Sequence, residues 1–182
     1  MDPTYISVDV EASGPSPAEY ALMSLGACLV DDPDTSFYVE LRPDRSGADP
    51  AAVAVSGLSL DRLAREGTPP EEAMEAFARW VEDATPTTRP VMVALNAPFD
   101  WMFVADSLHR HVGRNPFGHS ALDMKALFMG VARVSWSATS LRHMAARYDL
   151  DISLPHRALE DAKLQAEVFR AIIAELGGSP GG

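Results

Sequence analysis

Alternation is the first regular pattern along the chain: Ile6, Val8 and Val10 take every second position between Tyr5, Ser7, Asp9 and Glu11. A period of two separates the faces of a sheet, so residues 5–11 read as a strand that carries Asp9 and Glu11 on one side. Residues 22–30 and 36–41 read as two further strands, parted by the turn Asp31-Asp32-Pro33-Asp34. Short connections between three consecutive strands predict an antiparallel meander.

Beyond it the pattern changes. A loop with Pro43, Gly47 and Pro50 leads to a short apolar segment over residues 51–60, and Thr68-Pro69-Pro70-Glu71-Glu72 opens a helix to about residue 83. The valine-rich run 91–95 reads as a buried parallel strand, and Pro98 opens a helix containing Asp100. Residues 123–132 and 140–148 read as helices joined by a loop over 135–139 that holds Trp136. The last helix, residues 157–176, is apolar on most sides and is expected inside the fold. The order predicts one α/β domain over residues 1–176, a mixed sheet covered by helices, with a flexible tail at 177–182.

Composition narrows the class. The 182 residues are 47% apolar and 23% charged, which suits a single globular domain and excludes a polyelectrolyte or fibrous repeat. Acids interrupt every hydrophobic stretch before membrane-spanning length, and the acidic first residues do not suit a secretory signal. Cys28 is the one cysteine, so neither an internal disulfide nor a cysteine-cluster zinc site is available. Together these point to the cytoplasm.

A net charge of −11 argues against a uniformly basic nucleic-acid surface. Between residues 107 and 148, however, Arg110, Arg114, Lys125, Arg133, Arg142 and Arg147 face one acid, Asp123, and His109, His111, His119 and His143 lie among them. An anionic ligand is expected to meet the chain there. His109 and His111 read as surface residues, because i, i+2 side chains diverge on a helix.

Acids sit in unfavourable places. Strands disfavour them, and two on one face repel, a cost that Mg²⁺ or Mn²⁺ between Asp9 and Glu11 would remove. Asp100 follows a buried parallel strand across Leu95-Asn96-Ala97-Pro98-Phe99, where functional groups gather in α/β folds. Asp161 lies one turn inside a largely apolar helix, so its carboxylate should reach a cleft or a cation. His156 precedes it by five residues, about 140° around a continuous helix, but Pro155 suggests that the helix begins there, leaving His156 on the entry.

Asp9-Val10-Glu11, Asn96-Ala97-Pro98-Phe99-Asp100 and His156-Arg157-Ala158-Leu159-Glu160-Asp161-Ala162 together resemble, in order and separation, the three motifs of the DnaQ-like exonucleases of the DEDDh class. Val55-Ser56-Gly57-Leu58 resembles the family's connecting segment, so the likeness spans roughly residues 4–176. It implies a ribonuclease H-like fold, with an antiparallel three-strand meander plus parallel strands flanked by helices. The implied activity is 3′-to-5′ release of nucleoside 5′-monophosphates from single-stranded DNA or RNA ends.

The resemblance further implies two divalent cations, Mg²⁺ or Mn²⁺, held by Asp9, Glu11, Asp100 and Asp161, with His156 as general base. Asp9 and Asp161 would hold the ion that activates water, and Asp9, Glu11 and Asp100 would gather around the second. The common Glu-Thr-Thr-Gly reads here as Glu11-Ala12-Ser13-Gly14, so a hydroxyl that could grip the terminal nucleotide is missing at Ala12; Leu95 stands where many members have histidine. Ala12, Ser13, Gly14 and Asn96 are candidate substrate contacts, with Trp136 for base stacking and Arg142 for phosphates. Phe99 and Phe103 are expected in the core. The enzymes it resembles include monomers, homodimers and polymerase-associated subunits, so the resemblance leaves the oligomeric state open. A noncatalytic nucleic-acid-binding module and a ribonuclease H-like endonuclease are the rival readings.

Overall fold

The central strand decides where everything else sits. The computed structural model describes residues 3–151 and 157–177. Strand β1 (Pro3–Ala12) lies in the middle of a five-stranded sheet with β2 (Leu22–Leu29), β3 (Ser36–Glu40), β4 (Arg89–Ala94) and β5 (Ala121–Asp123), in the order β3-β2-β1-β4-β5. The first three strands form the expected antiparallel meander, and β4 and β5 add in parallel. Among the described residues seven helices flank the sheet: α1 (Pro50–Ser56), α2 (Leu60–Glu66), α3 (Pro70–Ala84), α4 (Ala97–His111), α5 (Met124–Ala132), α6 (Leu141–Arg147) and α7 (Ala158–Gly177).

Alternation along β1 feeds two cores. Ile6, Val8 and Val10 pack with Phe77 and Val81 of α3 and Phe103 and Leu108 of α4. On the other side Cys28 and Val93, the register partners of Ser7, pack with Phe128, Met144, Phe169 and Ile172 from α5, α6 and α7. The odd-numbered residues of β1 therefore face α7, and with them Asp9 and Glu11.

Local chemistry explains the helix starts. Asp49 caps α1 through Ala51 N, Ser59 caps α2 through Arg62 N, and Asp123 caps α5 through Ala126 N. Glu71 and Glu72 meet the positive end of α3. The apolar segment over residues 51–60 holds helix α1 and the start of α2, neither of which its pattern marks as a helix, and β5 has no sequence signal: α1 ends on the left-handed Gly57, α2 ends before Gly67, and β5 is three residues long. The expected loop over 135–139 contains a single 3₁₀ turn, Trp136–Ala138. Pro155 and the proposed entry to the last helix lie outside the described residues, as do residues 178–182.

Gly26 brings α7 onto the sheet. It pairs with Asp9 across β1 and β2, and a Cβ there would lie 2.2 Å from Leu159 N and 2.3 Å from Ala158 C. Backbone cannot yield as a flexible side chain can, so only glycine lets the start of α7 approach the strand beside Asp9. Gly26→Ala is expected to cost about 1–3 kcal/mol of stability through overpacking, read by chemical denaturation. Unchanged stability would show that α7 does not need this close approach.

Candidate active site

Four acids from three distant stretches of the chain meet at one end of β1. The two-residue period of the strand sets Asp9 and Glu11 side by side, and α7, seated over Gly26, delivers Asp161 one turn from its start. One ligand oxygen from each of Asp9, Glu11 and Asp161 lies within 4.8 Å of the others. Asp161 Oδ2 also accepts from Arg157 N at 3.1 Å, which closes the first turn of α7.

Asp100 arrives from the opposite core. Pairing of β4 with β1 runs only as far as Ser7 and Val93, leaving an open edge on β1 beyond it. Asp100, in the first turn of α4, fills that edge: its Oδ1 accepts from Val10 N at 3.2 Å. Asp9, Glu11, Asp100 and Asp161 all line one cleft of about 240 Å³, together with Leu95, Asn96, Phe99, Leu141 and Gln165. A larger cleft of about 570 Å³ shares Glu11 and is walled by Tyr38, Val55, Leu58, Arg157 and Glu160.

The electrostatics are those of a site built for a countercharge. Burial, reinforced by Asp100, Asp161 and Glu11, pushes the Asp9 carboxyl well above its ordinary range, against the opposing pull of a hydrogen bond from Gln165. Burial and then the Asp161 charge lift Glu11 to about 7. Burial lifts Asp100 to about 8, although the Val10 N–H opposes it. Hard carboxylate oxygens gathered this closely fit a divalent cation, whose charge would reverse the penalty that holds these protons on.

The chain matches a family model described as "Exonuclease" over residues 6–169. The chain belongs to this exonuclease family. It is 40% identical to the 3′-5′ DNA exonuclease Cap18 of Escherichia coli, over 92% of this chain and 90% of that protein. It is 28% identical to ribonuclease T of Enterobacter sp. (strain 638), covering 96% and 84%. Among solved structures, the nuclease domain of 3′hExo, a DEDDh family member bound to rAMP, superimposes with a TM-score of 0.76 at 16% identity, over 96% of this chain and 92% of that one. E. coli Exonuclease I in complex with a dT13 oligonucleotide gives a TM-score of 0.70 at 17% identity, over 96% and 41%. The DnaQ-like resemblance and the ribonuclease H-like fold are thus borne out, and this exonuclease is a 3′-to-5′ hydrolase.

Other anticipated residues fall in different places. His156 lies outside the described residues. Asn96 is an exposed residue in the left-handed region (φ 61°) on the rim of the smaller cleft. Ala12 is buried in the core, and the Ser13 hydroxyl is engaged within its own loop, donating to Gly47 O at 2.7 Å and accepting from Ala21 N at 2.9 Å. Gly14 lies against the Tyr20 ring. Phe103 is in the core as expected, and Phe99, partly buried against the same core with its ring tilted against that of Phe103, also reaches the cleft. Trp136 and Arg142 are exposed but are not among the described residues lining either cleft; Trp136 instead carries Lys125 Nζ 4.3 Å above its ring.

The basic stretch needs correction. Arg110 pairs with Asp44 and Asp106, Arg114 with Glu75 and Glu82, and Arg147 with Glu175, so acids from elsewhere in the chain neutralise three of its six cations. His111 is not a free surface histidine either, since its Nε2 lies 3.1 Å from Asp44 Oδ2. Sequence reasoning also missed Gly26 and Gln165. The signals were a glycine inside a valine-free strand segment and a glutamine on the buried stripe that continues from Asp161.

Raised carboxyl pKa values fix a pH dependence. The unfolded chain loses these protons at the ordinary values of 4.5 for Glu11 and 3.8 for Asp100, the folded metal-free protein only near 7 and 8. The folded state therefore holds the extra protons in between, and metal-free stability falls as pH rises from about 5 to about 8. The lowered carboxyls of Glu75 and Glu175 act below that window. Thermal unfolding in chelator should show this fall, a shallower one in Glu11→Gln, and a larger rescue by Mn²⁺ at pH 8 than at pH 5. A rise across the window would contradict the electrostatic assignment.

Proposed function

We propose that this exonuclease removes nucleotides one at a time from the 3′ ends of single-stranded DNA, using two divalent cations, Mg²⁺ or Mn²⁺, held by Asp9, Glu11, Asp100 and Asp161. The observation that carries the reading is the convergence of these four carboxylates on one cleft, three of them within 4.8 Å of one another. DNA is favoured over RNA by the likeness to a relative named as a DNA exonuclease. When bound, the cations supply neutralisation of charge on the scissile phosphate and activation of the attacking water.

The chain's own residues do the rest. The larger cleft adjoins Glu11 and offers apolar Val55 and Leu58 beside the Tyr38 hydroxyl, a surface suited to the last nucleotide's ring and sugar. Phe99, on the rim of the smaller cleft, offers a ring face to a base. His156, in neutral form, takes the proton of the attacking water, so activity declines as acid protonates it. Attack at phosphorus breaks the bond to the 3′ oxygen, releasing a nucleoside 5′-monophosphate and leaving a 3′-hydroxyl on the shortened strand.

Digestion of matched 5′-labelled DNA and RNA oligonucleotides with Mg²⁺ or Mn²⁺ tests this reading. Expected are a ladder shortened singly from the 3′ end and faster loss of DNA than RNA. Internal fragments would point to an endonuclease, and no cleavage to a binding module. Asp9→Ala should abolish metal-dependent release while remaining folded. His156→Ala should slow turnover by about 10² or more; full turnover in it would remove His156 as base.

A further inference from the structure

We propose that Gln165 is a positioning residue for Asp9, an inference that rests on the metal-dependent reading above. Asp161, Gln165, Phe169 and Ile172 form one buried stripe along α7, in which Gln165 is the one uncharged polar side chain, 3% exposed. Its Nε2 donates to Asp9 Oδ1 at 2.7 Å, and its Oε1 accepts from Leu95 N at 2.8 Å. Both ends of the amide are therefore used.

The two bonds fix the amide's orientation. Leu95 N can only donate, so Oε1 must face it, and the NH₂ must then face the carboxylate. One side chain thus ties three elements: α7, which carries Asp161; β1, which carries Asp9; and the end of β4, from which the chain turns into α4 and Asp100. Buried and doubly bonded, the amide holds Asp9 in one rotation relative to Glu11 and Asp161. Outer hydrogen bonds of this kind orient metal ligands, and their loss typically costs about 10- to 100-fold in metal affinity.

The test measures Mn²⁺ binding to the full chain without nucleic acid, by the electron paramagnetic resonance signal of free Mn²⁺. Beside it runs the metal concentration for half-maximal cleavage. Gln165→Met keeps the length and volume of the side chain and removes both hydrogen bonds. It should weaken Mn²⁺ binding about tenfold or more and raise the half-maximal metal concentration to match, while turnover at saturating metal stays within about threefold. Ile172→Val, a packing change on the same stripe, should leave both midpoints at the wild-type value. Gln165→Glu keeps the acceptor for Leu95 N and, when ionised, replaces the donor to Asp9 by a repelling carboxylate, so its midpoints should also move several-fold. Wild-type midpoints in both Gln165 variants would overturn the positioning role. Absence of Mn²⁺ binding in the wild type would instead overturn the metal-dependent reading on which it rests.

Discussion

Like charges forced together at the end of a buried strand are the constraint around which this protein is organised. Asp9, Glu11, Asp100 and Asp161 repel one another in a place where water cannot screen them well, and burial with this repulsion raises the carboxyl pKa values of Asp9, Glu11 and Asp100, a penalty that a bound cation would relieve. Such an arrangement is costly to a metal-free protein and persists only where the surrounding structure over-determines it. Both cores do so here: the α3 and α4 side anchors Asp100, and the α5, α6 and α7 side anchors Asp161.

Three devices bring the acids together. A glycine in β2 lets a helix start lie directly on the sheet; a carboxylate completes the unpaired edge of β1 where β4 stops; and an amide bridges a helix, a strand end and an acid. None touches the bulk solvent in the way a surface ligand would. The two clefts share Glu11 in their linings, which suits the proposed reading in which a strand end in the wider one presents its last phosphodiester to the narrower one.

Much of this was legible in the sequence because periodicity is a local property. Alternation in residues 5–11 placed Asp9 and Glu11 on one face, the proline before Phe99 marked the helix that carries Asp100, and the apolar surroundings of Asp161 marked a buried acid. What escaped depends on neighbours distant in the chain. Gly26 matters only because residues 158–159 lie above it, and Gln165 only because Asp9 and Leu95 N flank its amide. Counting charges along residues 107–148 gave a positive stretch, but Asp44, Glu75, Glu82 and Glu175 fold onto its arginines, a pairing no linear count contains. Strand β5 is too short for its period to register.

Anomalous diffraction from crystals soaked in Mn²⁺ tests, without reference to turnover, whether the converging carboxylates seat divalent cations. Manganese density is expected in direct contact with oxygens of Asp9, Glu11 and Asp161, within the smaller cleft. Manganese bound elsewhere, with these three side chains left without an ion, would contradict it.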